Sequence, residues 1–247
     1  MTGDAGEGRV ALVTGANRGI GHAIAMELGL LGMRVLVGAR SSDKAERATK
    51  DLTALGVDAE ALVIDIVDHT SVAQARLDIE HRHGRLDVLV NNAAIKLEHH
   101  PSPPSEAALE VVRRTLETNV IGTIRVVQAM LPLLLRSDRP RIVNLSSGLG
   151  SLTHATTIAS KYQARPLLSY STSKAALNMV TVLFANEFRE TALRINAVDP
   201  GPVNTPMTQG RAVREPRDGA RPVVACVLID NDGPTGCFFD ENGPVPW

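Results

Sequence analysis

The chain reads as an α/β protein: one doubly wound parallel sheet of about seven strands with helices on both faces. Two observations predict this. Short unbroken apolar runs recur along the 247 residues, as expected of strands buried on both faces. Longer segments with helical apolar spacing separate them, and strands that alternate with helices build parallel sheets through right-handed crossovers.

The elements follow in order. Residues 9–14 form the first strand and residues 19–31 the first helix. A second strand spans 34–39, followed by a polar-faced helix over 43–55. Strand three is 60–64, with a helix over 68–83, and strand four is 86–91. A long helical stretch runs over 105–136 and breaks near Asn119, a polar residue that needs a reason to sit inside a helix. Strand five is 141–145, a helix covers 171–189, and strand six is 194–198. Residues 218–229 are helical, and 236–239 complete the sheet. Irregular stretches fall at 96–104, 148–169 and 202–216. No internal repeat and no long linker divides the chain, so residues 1–247 are expected to form a single domain, with 1–8 flexible.

Composition removes several function classes. A formal net charge of -1 and 3% aromatic residues argue against nucleic acid as a partner. No apolar window approaches the roughly 18 residues that would span a membrane. The polar, glycine-rich opening residues are not expected to form a secretory signal. Two cysteines, Cys226 and Cys237, suit reduced thiols in a cytoplasmic protein better than a disulfide scaffold. His99-His100 and His81-x-His83 lack the companion spacing of a metal site, and none is expected.

The first strand runs into Gly15-Ala16-Asn17-Arg18-Gly19-Ile20-Gly21, which opens a helix. Gly15 allows the tight turn, Gly19 lets a pyrophosphate approach backbone N–H groups, and Gly21 lets the helix pack against the strand. The helix N-terminus then faces the phosphate. The second strand ends at Gly38-Ala39-Arg40-Ser41, without the acid that would accept from adenosine ribose hydroxyls. Arg18 and Arg40 instead suit a 2′-phosphate, which points to NADP(H).

Tyr170 and Lys174 are four apart on one helix face. A phenol titrates near pH 10, and a neighbouring ammonium is expected to lower that value, so that Tyr170 can exchange a proton with an alcohol or carbonyl oxygen. Tyr162, the other tyrosine, has no lysine four residues on. No Gly-x-Ser-x-Gly surrounds Ser147, so a serine nucleophile is not indicated.

The spaced glycines, Asn91-Asn92-Ala93-Ala94, Asn119, Ser146-Ser147, Tyr170-x-x-x-Lys174 and Pro200-Gly201 occur in one order. That order resembles the short-chain dehydrogenase/reductase family, a Rossmann-like group, over residues 9–205 with a continuation to Trp247. The cytosolic NADPH-dependent carbonyl reductases are the subgroup it resembles most. The resemblance implies Tyr170 as acid/base and Lys174 as the holder of the nicotinamide ribose. It implies Ser147, the second of the pair, as donor to the substrate carbonyl oxygen, and Asn119 as support for a water-linked proton path to Lys174. Cofactor contacts are implied for Gly15, Asn17, Arg18, Gly19, Ile20 and Gly21, and for Arg40, Asp65, Ile66, Asn92, Ala93 and Ala94. They are also implied for Tyr170, Lys174, Pro200, Gly201, Val203 and Thr205. Asp65 would accept from the adenine amino group, and Pro200-Gly201 would pass beside the nicotinamide.

Ser147 and Tyr170 are 23 positions apart, longer than the family's usual gap but in keeping with carbonyl reductases. The inserted segment is expected to wall the substrate, to cover a subunit contact, or to be a slack surface loop with no role. A homo-oligomer stays open. The expected activity is NADPH-dependent reduction of a small aldehyde or ketone. The alternatives are oxidation of a secondary alcohol and a non-catalytic NADP(H)-binding redox sensor. Leu149, Leu152, Ile158, Leu167 and Met207 offer an apolar substrate wall. The terminal Gly243-Pro244-Val245-Pro246-Trp247 is expected to dock on the body or on a partner.

Overall fold

A computed structural model describes residues 6–98, 100–158 and 167–247. Strands β1 (Val10–Thr14), β2 (Arg34–Ala39), β3 (Ala59–Val63) and β4 (Val88–Asn91) alternate with helices α1 (Gly19–Leu30), α2 (Ser42–Ala54) and α3 (His69–His83). Helices α4 (Leu109–Leu116) and α5 (Thr123–Leu134) precede β5 (Arg141–Leu145). A short helix α6 (Leu152–Thr156) and the long α7 (Leu168–Glu187) lead to β6 (Arg194–Val198). Helix α8 (Pro216–Leu228), β7 (Phe238–Asp240) and β8 (Gly243–Pro244) complete the chain.

The sheet order is β3-β2-β1-β4-β5-β6-β7-β8. All pairings are parallel except β7 with β8. The eighth strand, a two-residue return absent from the sequence expectation, is too short to leave an apolar signature. The order reverses between β1 and β4, the switch point where doubly wound sheets open a crevice at the strands' carboxyl ends.

Successive strand residues feed opposite faces. Ala11, Val13, Val35 and Val37 pack with α1, α2 and α8, whereas Leu12, Leu36, Leu89 and Ile142 pack with α3, α5 and α7. That double burial is why the strands read as continuous apolar runs. Beneath the sheet's amino ends the fully buried Arg141 donates to the carbonyls of Pro140, Ala192 and Ile229 and to the Asn231 side chain. Burial, the dominant cause, lowers its pKa to about 10.

The long stretch over 105–136 resolves into α4, a π-helical turn at Glu117–Gly122 and α5. The break falls at Asn119, and single π turns inside helices often mark functional sites. Helix α7 starts before Ser171, so Tyr170 lies within its first turn. The terminal segment docks on the body: Trp247 stacks on Phe238 with ring centroids 5.5 Å apart, and Val245 is buried. The Ser151 hydroxyl donates to the Pro246 carbonyl (2.7 Å), and the Thr153 amide donates to that of Trp247 (2.9 Å). Tyr162, His99, residues 1–5 and the inserted positions 159–166 lie outside the described residues. Among the described residues, no helix is long and apolar enough to cross a membrane.

Candidate active site

The carboxyl ends of β1 to β4 enclose a cavity of about 670 Å³. Of the expected cofactor residues, Gly15, Asn17, Arg18, Gly19, Ile20, Gly21, Arg40, Asp65, Ile66, Asn92, Ala93, Ala94 and Thr205 line it. Backbone geometry builds this wall. Gly15 and Gly19 have φ of 66° and 59°, a left-handed region that favours glycine. A methyl group on Gly21 would lie 2.4 Å from Asn92 Nδ2 and 2.5 Å from the Gly15 carbonyl oxygen, so only glycine brings α1 this close to the turn.

Thr14, which the sequence reading passed over, joins the turn to the loop after β4. Its hydroxyl accepts from the Asn92 and Ala93 amides at 3.0 and 3.1 Å and donates to Val90. Asn92 Nδ2 donates to the Thr14 and Gly15 carbonyls at 2.8 and 3.2 Å.

The start of α1 has no side-chain cap and no acid in its first turn. Its N–H groups therefore offer an uncompensated anion site beside Arg18. Arg18, Arg40 and Lys44 are exposed on the same cavity. Lys44, four positions after Arg40 in the first turn of α2, is a third cation missed by sequence. Asp65 accepts from the Val67 amide (3.2 Å). These features fit a phosphorylated dinucleotide: an uncapped helix end, a cluster of cations and a glycine turn packed too tightly for a Cβ at Gly21.

A second group stands beyond this cavity, on β5, β6 and α7. Lys174 is 3% exposed, and its ammonium donates to the Leu145 carbonyl at 2.6 Å. It lies 5.6 Å from the centroid of the Tyr170 ring. The Ser147 side chain lies close enough to the Tyr170 hydroxyl to oppose part of its pKa shift. Gly150 lets the turn after β5 press against α7, where a Cβ would meet the Lys174 carbonyl carbon at 2.7 Å. Ser146 is buried and donates to Asn178 Oδ1 (2.5 Å), whereas Ser147 keeps part of its surface open. The two serines thus divide: the first is spent inside the core, the second faces Tyr170.

Asn119 connects the two groups. Its side chain accepts from the Ile95 amide (2.8 Å) and donates to the Ile95 carbonyl (2.9 Å) and to the Ser173 hydroxyl (3.0 Å). Ile95 lines the cavity, and Ser173 is the residue before Lys174.

The electrostatics differ from the sequence expectation. Tyr170 is shifted upward, first by burial of its hydroxyl and next by the Asp199 carboxylate, with the Ser147 side chain in partial opposition. Desolvation disfavours the phenolate more than the neighbouring ammonium favours it, so the lowering expected from Lys174 does not prevail. Burial also lowers Lys174 to about 8, against an upward pull from Asp199. At neutral pH both groups hold their protons, a phenol donor beside a lysine cation. Asp199, another residue missed by sequence, accepts from the Gly148 and Gly201 amides at 2.9 Å each. It thereby ties the serine turn to the Pro200-Gly201 turn.

Pro200, Gly201 and Val203 do not line the cavity. Gly201 has φ 68° and makes the bend that follows β6. Val203 is 1% exposed, with its side chain against Gly219. Of the apolar residues expected near the substrate, Met207 lines the cavity and Leu167 is buried. Leu152 and Ile158 are 69% and 86% exposed.

A doubly wound sheet with a glycine turn at its switch point and a Tyr-Lys-Ser group around a buried lysine defines a dinucleotide-dependent oxidoreductase. The short chain dehydrogenase family model matches residues 9–215. The short-chain dehydrogenase anuI of Penicillium roqueforti is 37% identical over 222 residues, which cover 87% of this chain and 86% of that protein. Carbonyl reductase (NADPH) 1 of Sus scrofa is 30% identical over 97% of this chain and 94% of its own length. The NADPH-bound carbonyl reductase from chicken fatty liver superposes with a TM-score of 0.83 at 25% identity, covering 98% of this chain and all of that one. The chain belongs to the short-chain dehydrogenase family, whose members use nicotinamide cofactors, and it resembles the carbonyl reductases within it.

Proposed function

We propose that the protein is an NADPH-dependent reductase of small aldehydes or ketones in which Tyr170 delivers the proton. The observation that carries this reading is the phenol in the first turn of α7, held protonated, beside the Ser147 side chain and one turn from the Lys174 cation. A tyrosine that holds its proton at neutral pH is in the state needed to donate, and a developing alkoxide is basic enough to take the proton from a phenol.

The glycine turn and the start of α1 would hold the pyrophosphate, with Asn17 and Ile20 beside it. Arg18 and Arg40, joined by Lys44, would bind the 2′-phosphate. Asp65 and Ile66 would meet the adenine, and Asn92, Ala93 and Ala94 the adenosine side of the dinucleotide. Lys174 would hold the nicotinamide ribose, while Pro200, Gly201 and Thr205 flank the nicotinamide end; Val203 contributes only through its backbone. Bound NADPH supplies a hydride to the substrate carbonyl carbon.

The carbonyl π electrons move to oxygen as that bond forms. Tyr170 transfers its proton to the oxygen, and the phenolate is later reprotonated from solvent. Ser147 donates to the same oxygen, and a preorganised donor of this kind is worth about 3–4 kcal/mol in the transition state. The Lys174 cation stabilises the transient phenolate, and Asn119 keeps Ser173 and the loop at Ile95 in register with it. The 2′-phosphate site and the likeness to NADPH carbonyl reductases support the choice of nucleotide.

The test is nucleotide oxidation with a panel of aldehydes and ketones. Turnover is expected with several carbonyls, with NADPH preferred over NADH by about tenfold or more. Preference for NADH would overturn the phosphate assignment. Saturable NADPH binding with no turnover of any carbonyl would favour a redox sensor.

A further inference from the structure

A helix leaves its first N–H groups without partners, and a side chain usually caps them from the preceding residue. Helix α7 breaks that habit. Its N-cap position is Leu167, which makes no side-chain cap bond, and no acid lies in the first turn. Yet Ser169, in that first turn, is fully buried.

The missing cap comes from far upstream. The Glu98 carboxylate accepts from the Ser169 amide at 3.1 Å, the Ser169 hydroxyl at 2.6 Å and the Tyr170 amide at 3.0 Å. One of these donors is the backbone of the tyrosine itself. A negative charge at this end also complements the helix dipole.

Glu98 lies in the irregular segment that follows β4 and begins at Asn92. That loop lines the dinucleotide cavity through Ile95 and Leu97, and Asn119 grips Ile95 on both its amide and its carbonyl. A single carboxylate therefore links the cavity wall to the turn that carries the phenol. Glu98 itself does not line the cavity.

We propose that Glu98 is a positioning residue for Tyr170, a helix cap supplied by a distant loop of the same chain that fixes the phenol relative to the dinucleotide groove. The role rests on the reading of Tyr170 as proton donor. Without the cap, two backbone donors and a buried hydroxyl lose their acceptor and the first turn loosens. A displacement of the reacting group by about 1 Å costs on the order of a hundredfold in rate.

The experiment compares the full-length native chain with Glu98→Ala and Glu98→Gln. It measures kcat and KM for NADPH with a reducible carbonyl, and the pH titration of tyrosine by phenolate absorbance without nucleotide. For Glu98→Ala, kcat is expected to fall about ten- to a hundredfold, with KM for NADPH unchanged. In the same variant the phenolate absorbance that resists alkali in the native chain should appear at lower pH, because a loosened turn admits water to Tyr170. Glu98→Gln keeps one acceptor oxygen, so its kcat should fall only about severalfold. It serves as the sole comparison where Glu98→Ala does not fold.

Unchanged kcat and titration would overturn the proposal, as would a rise in KM for NADPH that accounts for the loss. If the native chain reduces no carbonyl, the function reading fails instead, and the tyrosine titration still decides the role of Glu98.

Discussion

The two ends of the groove are built by different means. At the nucleotide end, backbone makes the site: two left-handed glycines, a glycine with no room for a methyl, and the uncapped start of α1. Its cations are exposed. At the chemical end, side chains make the site. Lys174, Asn119 and Asp199 are buried, and each is held by partners from other elements. Backbone recognition tolerates solvent because amides and helix ends keep their dipoles in any setting. At the chemical end burial dominates, because desolvation is the largest cause moving the phenol and the ammonium from their ordinary pKa values, with Asp199 second.

That contrast can be broken by measurement. The largest effect should come from Lys174, whose pKa is lowered by burial to about 8 from 10.5. Between those values the unfolded chain binds a proton that the folded chain lacks, so this group's contribution to stability rises with pH over that window. The cost of the buried cation is full below the folded value. The difference in unfolding free energy between the native chain and Lys174→Met should change by about 3 kcal/mol from about pH 7 to about pH 11. Denaturant titrations across that range check it, and a difference independent of pH would mean that Lys174 is not effectively desolvated.

The next effect belongs to the backbone end. Gly21→Ala should cost about 1–3 kcal/mol by thermal or chemical denaturation, because Asn92 and the Gly15 carbonyl cannot both retreat. A neutral result would show the turn to be looser than its geometry. The smallest effect should come from the exposed cations. Arg18→Ala and Arg40→Ala should each weaken NADPH binding by about tenfold or less, with NADH binding unaffected. Equal losses for both nucleotides would remove the 2′-phosphate from this corner.

Legibility in the sequence follows the same division. The glycine turn could be read because left-handed φ values and close helix packing leave few alternatives to glycine at fixed spacing. The Tyr170–Lys174 pair could be read because residues four apart share a helix face. The choice of Ser147 over Ser146 agrees with the way the structure spends the first hydroxyl on Asn178. Glu98, Asp199 and Thr14 were not legible, since their partners lie 71, 51 and 78 positions away and no local period marks them. The direction of the Tyr170 shift was missed for a related reason. Proximity to a cation can be inferred from spacing, but the depth of burial cannot. The seventh strand was found from its apolar residues, whereas β8 pairs only through Phe239 and Asp240 and adds little apolar surface.

The most direct test follows the two hydrogens separately. Native protein given NADPH deuterated at the transferable position, with a reducible ketone in ordinary water, should yield an alcohol with one deuterium on its carbinol carbon. Tyr170→Phe should bind the same nucleotide equally well yet form that labelled alcohol about 10²- to 10⁴-fold more slowly. Labelled alcohol forming at the native rate in Tyr170→Phe would contradict a proton delivered by this tyrosine.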